Sequence, residues 1–144
     1  MKYDVKISKE NVVFKDAGKI RNAVFIEEQG FRNEFDEIDK TAYHAVMYDG
    51  SIPIACGRLY GDNGIYHVGR IAVIQKFRGQ GLGFKIMSEI EKFAVEKLDA
   101  VKFVLSAQVR AKGFYETLGY SAEGEEYYDE YCPHVQMFKI LAGN

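Results

Sequence analysis

Two prolines, two cysteines and no tryptophan occur in 144 residues. With proline only at Pro53 and Pro133, long stretches are free to be regular. Cys56 and Cys132 are too few for a disulfide framework, which excludes a cystine-stapled scaffold and fits reduced thiols in the cytoplasm. No apolar run approaches the roughly 20 residues that span a bilayer. The opening MKYDVKISKE has no signal-peptide apolar region. A net charge of −2 creates no global field, so neither a nucleic acid nor a membrane is expected as partner. Linkers, low-complexity tracts and internal repeats are missing too, so residues 1–144 are expected to form one domain. What the chain does have is apolar substance. It is 47% hydrophobic and 14% aromatic, enough for an ordinary core and too much for a disordered chain.

The small net charge hides a segregation. Residues 16–39 hold seven acids against three bases, and residues 120–139 hold five against one. Residues 70–112 between them hold nine bases against four acids. Such an arrangement suits a site that takes an anion on one side and a cation on the other. For most of these charges solvated faces of helices and loops are the better account.

Periodicity orders the chain as β-α-β-β-β-α-β-α-β-β. Asp4 to Ser8 alternates as a strand. Residues 16–29 read as a helix through Ile20, Val24 and the Ile26–Gln29 stretch, with Asp16 to cap it and Gly30 to end it. A polar loop covers Arg32 to Lys40. His44–Tyr48 and Ile52–Leu59 flank the hairpin signal Asp49-Gly50, and Pro53 marks a bulge or a strand start. Ile65–Val73 is the next strand. Gly81–Leu98 is a helix with the apolar stripe Leu82, Ile86, Ile90, Phe93, Ala94 and Leu98. Val101–Ala107, with Phe103-Val104-Leu105 at its centre, reads as a buried parallel strand. Ala111–Leu118 is a short helix, and Tyr120–Tyr127 and His134–Leu141 close as a strand pair. The unit from Ile65 to Ala107 requires a right-handed β-α-β crossover. The expected fold is α/β, a mixed and mostly antiparallel sheet flanked by helices.

Between the strand ending at Val73 and the helix opening at Gly81 lies Gln75-Lys76-Phe77-Arg78-Gly79-Gln80-Gly81-Leu82-Gly83. Alternate glycines let the backbone approach a ligand and turn successive N–H groups into one concavity. The helix N-terminus adds its donors and the positive end of its dipole. With Lys76, Arg78 and Lys85 beside it, the turn reads as a phosphate or diphosphate site, against a plain glycine-rich turn. The nucleotide-binding string G-x-x-x-x-G-K-[ST] is absent. A dinucleotide fingerprint fails because Phe84 stands at its last glycine. The pattern met is R-x-x-G-x-G, by Arg78, Gly81 and Gly83.

In this setting residues 68–95, VGRIAVIQKFRGQGLGFKIMSEIEKFAV, resemble the diphosphate-binding motif of the GNAT superfamily of N-acetyltransferases. Residues 113–120, GFYETLGY, resemble the family's F-Y-x-x-L-G-[FY] segment, while VFIEEQGF (24–31) and Cys132-Pro133-His134-Val135 resemble its small bacterial ElaA-like subgroup. The likeness runs from about Val24 to Ile140. Gln108 stands where the family commonly has asparagine, as in this subgroup.

The resemblance implies an acetyl-CoA-dependent enzyme, without metal, that passes the acetyl group directly to a primary amine. It implies a V-shaped splay between two parallel strands, into which the thioester enters. Arg78, Gly79, Gln80, Gly81, Leu82 and Gly83 would hold the diphosphate. Ile71, Ala72 and Val73 would hold the pantetheine arm, with Gln108 and Phe114 completing the donor site and the Val73 N–H facing the thioester oxygen. Tyr115 matches the general acid opposite sulfur; otherwise it is a core aromatic. For the base the family fixes no residue. His134 comes first, against a histidine bonded to backbone, and Glu28 second, against a solvated helix acid. His44 and His67 read as structural. Arg58 and Arg70 pair with an acid such as Glu28 or touch substrate. Cys132 beside His134 supplies too few ligands for zinc. Glu125, Glu126, Asp129 and Glu130 with Tyr127, Tyr128 and Tyr131 would form a wall for a cationic acceptor such as a polyamine, amino sugar or N-terminal amine. Two readings stay open beside these: a non-catalytic acyl-CoA sensor or interaction module, and a homodimer made by exchanging the C-terminal strands.

Overall fold

A computed structural model describes residues 3–141. Seven strands form one sheet: β1 (Asp4–Ser8), β2 (Tyr43–Asp49), β3 (Ile52–Asp62), β4 (Ile65–Val73), β5 (Lys102–Gln108), β6 (Ser121–Asp129) and β7 (Cys132–Ile140). Their spatial order is β1-β2-β3-β4-β5-β7-β6. All neighbours run antiparallel except β4 and β5, which are parallel and joined through α2 (Leu82–Leu98). The expected element order and fold class are both found. No helix among the described residues is long and apolar enough to cross a membrane.

Two helices cover the two faces of the sheet, which is why β2 and β3 are buried on both sides and read as continuous apolar runs. α2 lays Ile86, Met87, Ile90 and Ala94 on Ala45, Met47, Ala55 and Phe103. On the opposite face, α1 (Asn11–Arg21) packs Val13, Ala17 and Ile20 against Val46, Tyr48 and Cys56. α1 starts five residues before the expected Asp16. The Val12-Val13-Phe14 run has little helix propensity and hid the first turn, but Val13, Ala17, Ile20 and Val24 form the stripe that sets the helix. Asp16 therefore lies in mid-helix and accepts a 2.6 Å bond from the Tyr48 hydroxyl. The helix continues as a widened π-type turn over Asn22–Glu28 and stops at Gly30, whose φ is +82°. The β2–β3 loop is Gly50-Ser51, one residue later than Asp49-Gly50 suggested, and the bulge expected at Pro53 is present.

The feature that positions the site lies in β4. Along β3, Cys56 faces Ala72 but Arg58 faces Gly69, so β4 holds one extra residue. Arg70 sits in this bulge at φ +54°, a conformation that costs a non-glycine residue about 1–3 kcal/mol unless its surroundings fix it. Pairing of β4 with β5 covers only Ile65↔Lys102, Tyr66↔Phe103 and His67↔Val104, and then stops. The splay between parallel strands follows.

A buried ionic cluster fixes Arg70. Its Nε lies 2.8 Å from a Glu34 carboxylate oxygen and its Nη2 donates to the Glu34 carbonyl at 2.9 Å. Glu34 is also held by Arg21 Nε at 2.9 Å. Arg21 and Arg58 converge on Asp39 Oδ1 at 2.8 and 3.0 Å, and Arg58 reaches Asp36 at 2.7 Å. Glu34 and Asp39 thus leave the polar loop expected at 32–40 and lie buried, compensated by arginines from α1, β3 and β4. Burial outweighs the arginines at Glu34 and raises its carboxyl above the usual value. At Asp39 burial pushes the same way, but the bonds from Arg21, the Asp36 backbone and Arg58 win, and the carboxyl falls to about 2.

Asp39 has the larger consequence for stability. Its folded-state value lies below the unfolded one, so its contribution of about 2 kcal/mol is complete above about pH 4 and is lost as pH falls toward 2. Asp39→Asn is expected to cost about 3–5 kcal/mol at neutral pH, because Arg21 and Arg58 lose the carboxylate they share and keep only Glu34 and Asp36 respectively. The gap between variant and wild type should shrink between pH 4 and pH 2 in urea unfolding. A gap independent of pH would contradict this assignment.

Candidate functional site

Beyond His67, β4 has no neighbour on the β5 side, and its backbone becomes the floor of a cleft. Ile74 donates its N–H to Ile54, which makes Val73, opposite Ala55, a position that does not bond across to β3. The Val73 N–H and C=O therefore face the cleft. The Val73 carbonyl accepts a 2.9 Å bond from Arg78 Nε.

On one side the cleft opens into a groove of about 450 Å³. Ile71, Ala72 and Val73 form one wall, Phe114 and Tyr115 another, and Gly79, Gly81, Leu82 and Gly83 close the end. Gly79 and Gly81 have φ of +83° and +76°, and a Cβ on either would meet nothing within 4 Å, so the turn presents bare backbone. α2 opens on Gly81 with no side-chain cap, leaving its first-turn N–H donors to the groove. Gln80, expected among the diphosphate contacts, turns its side-chain oxygen to the Tyr3 hydroxyl at 3.3 Å.

On the other side lies a cavity of about 290 Å³, bounded by β4, β5, the β6–β7 hairpin and the segment after α1. His134 faces it from β7. Its Nδ1 is 2.9 Å from the Cys132 carbonyl. A carbonyl only accepts, so Nδ1 carries the proton and Nε2 presents a lone pair. The backbone-bonded histidine and the candidate base are thus one arrangement, each ring nitrogen serving one role. The ring stacks on Tyr127, whose hydroxyl bonds Ser106, and meets Phe31 edge-on. Tyr115 borders both groove and cavity, and burial pushes its hydroxyl up to about 12. That hydroxyl has no hydrogen-bond partner among the described residues.

Other expected residues fall elsewhere. Glu28 is outside the cavity, its two oxygens 2.6 and 2.7 Å from the terminal nitrogens of Arg78. The Arg78 bonds hold its carboxyl below the usual value, which suits a fixed anion better than a base. Gln108 lies in the cavity rather than the groove and donates to Gln29 Oε1 at 2.9 Å. Asp129 and Glu130 line the cavity, while Glu125 and Glu126 do not. Glu130 accepts the N–H groups of Arg32 and Asn33 at 3.0 Å and ties the hairpin to the segment after α1. Arg58 and Arg70 serve the ionic cluster and do not meet Glu28. His44 bonds the Asp39 carbonyl region and His67 stacks on Tyr60. The reading from sequence missed Gln29 and Arg110 at the site and Arg21 beneath it. Arg21 had a signal: it falls on the buried side of α1, where a charge implies a buried partner.

Residues 7–141 match the family model for the acetyltransferase (GNAT) domain. The chain belongs to the GNAT acetyltransferases. It is 38% identical over 136 residues to the uncharacterized N-acetyltransferase YjcF of Bacillus subtilis, covering 92% of this chain and 96% of that protein. An acyl-CoA N-acyltransferase from Pseudomonas aeruginosa superposes with a TM-score of 0.85 at 25% identity, over 95% of this chain and 99% of that one. ElaA of Escherichia coli shares the fold, with a TM-score of 0.86 at 21% identity, over 95% of this chain and 99% of that one. This GNAT chain is therefore an acyltransferase, and the likeness read from Val24 to Ile140 extends to Ile7.

The Glu28–Arg78 pair has a direct readout. In a carbon-detected NMR titration Glu28 should titrate below the ordinary glutamate value, and Arg78→Ala should move its midpoint back up. An ordinary midpoint in the wild-type enzyme would contradict the bidentate contact.

Proposed function

We propose that the enzyme transfers an acetyl group from acetyl-CoA to a primary amine, and that groove and cavity are its donor and acceptor sites. The observation that carries this reading is the unpaired edge of β4, which runs from the uncapped glycine turn to Tyr115 at the junction of the two spaces. The diphosphate lies on the backbone amides between Arg78 and Gly83. Arg78 adds its charge on exchanging Glu28 for the phosphate oxygens. The pantetheine arm extends along Ile71, Ala72 and Val73 as an added strand, with Phe114 against it. This brings the thioester into the splay, where the Val73 N–H donates to its oxygen. One such fixed donor contributes roughly 3 kcal/mol to the tetrahedral transition state.

The amine arrives protonated, since such groups have pKa values of about 8–10. His134 Nε2 takes its proton, and the nitrogen lone pair then attacks the thioester carbon. The carbon–oxygen double bond re-forms as the carbon–sulfur bond breaks; CoA leaves as thiolate and takes up the second proton of the attacking nitrogen, giving a neutral amide and a thiol. Tyr115, with its hydroxyl at about 12, stays protonated at neutral pH and donates a hydrogen bond to the departing sulfur.

Two variants separate these roles. Tyr115→Phe is expected to lower kcat about 10- to 100-fold while leaving CoA affinity by calorimetry unchanged. His134→Ala is expected to lower kcat about 10²- to 10⁴-fold while leaving CoA affinity unchanged. Full activity in either variant removes its role. If acetyl-CoA raises the melting temperature but no amine releases thiol, the chain is a CoA-binding module and not a transferase.

A further inference from the structure

Arginine side chains around the cleft are almost all spoken for. Arg70 is held by Glu34 and Asp36, and Arg78 by Glu28. Arg110 differs: no carboxylate among the described residues lies within 4 Å of it, although it borders the cavity that contains His134. Arg110 acts on Glu28 only through space, and both Glu28 oxygens are occupied by Arg78.

Arg110 is exposed, but one edge of its guanidinium is tethered. Its Nε donates to Gln108 Oε1 at 2.8 Å, and Gln108 Nε2 donates in turn to Gln29 Oε1 at 2.9 Å. This relay crosses from the turn after β5 to the end of the π-type turn, and it fixes one edge of the guanidinium. The two terminal nitrogens are left as an open fork. Gln108 stands directly opposite His134 in the β5–β7 register, so fork and base belong to one wall. Arg110 lines the cavity and an adjoining hollow beside Glu28 and Arg78, but not the donor groove, so a ligand in the cavity lies within its reach.

A planar fork with pre-set orientation matches a carboxylate through two parallel bonds. Asp129, also without a partner among the described residues, lines the same cavity and offers an anion to an incoming ammonium. At about 290 Å³ the cavity admits a small molecule. We propose that Arg110 reads a carboxylate on the acceptor, so that the substrate is a small amino acid in which amine and acid lie close together. The proposal rests on the acetyl-transfer reading and narrows it: an acceptor bearing only positive charge, such as a polyamine, leaves Arg110 unanswered.

The test measures thiol release from acetyl-CoA with matched pairs, each a free amino acid and its carboxamide, beside simple diamines. The wild-type enzyme should favour the acid over its amide by roughly 10- to 100-fold in kcat/KM, the loss expected for one charged hydrogen-bonding partner. Arg110→Gln should collapse that ratio to near unity, with the KM for acetyl-CoA and the melting temperature held. Arg110→Lys, which keeps charge without the fork, should recover part of the ratio. Equal or better turnover of amides or diamines by the wild type, or a ratio that survives Arg110→Gln, overturns the proposal and leaves acetyl transfer standing. Thiol release with no member of the panel, in a protein that binds CoA by calorimetry, overturns both.

Discussion

The site depends on one residue held in an uncommon conformation. Arg70 occupies the left-handed region because Glu34 and Asp36 hold its guanidinium, and Glu34 is itself held by Arg21. Strain of this kind persists where surroundings over-determine it. Here the surroundings are a buried set of charges in which each acid meets at least one arginine. The extra residue turns β4 away from β5, and the unpaired backbone that results is the surface on which both halves of the site are built. Stability and function therefore share a cause: the cluster costs desolvation, and in return it keeps a strand edge open inside a sheet.

In the proposed reaction each group around that edge has a single task. The glycine turn exposes amides, α2 brings its uncapped N-terminus to the same place, and Val73 turns one N–H into the splay. His134 divides its two nitrogens between the Cys132 carbonyl and the cavity. Tyr115 closes the junction. None of these roles needs a long side chain to find its place after binding, because stacking on Tyr127, the backbone contact of His134 and the relay from Gln29 through Gln108 to Arg110 set the positions beforehand.

Much of this was legible in the residues. The stripe of α2, the β2–β3 hairpin and the R-x-x-G-x-G turn are local patterns, written within a few residues of each other. Long-range facts were not legible. Nothing near Glu34 or Asp39 marks them as buried, since their partners Arg58 and Arg70 come from strands 19 to 36 residues away. Glu28 reads from sequence as the second candidate base, yet its partner is Arg78, 50 residues on. Gln108 was placed with the donor because of its position after β5; its partner Gln29 lies 79 residues back and draws it to the cavity. The start of α1 was misplaced for a different reason, as β-branched residues masked a turn that packing against Val46 and Cys56 stabilises.

The most direct measurement is a crystal structure with acetyl-CoA bound. The diphosphate should lie on the amides between Arg78 and Gly83, the pantetheine should run beside Ile71 to Val73, and sulfur should sit within hydrogen-bond reach of the Tyr115 hydroxyl. A coenzyme bound away from the β4 edge, or a β4 that pairs along its whole length with β5 in the complex, would contradict the account.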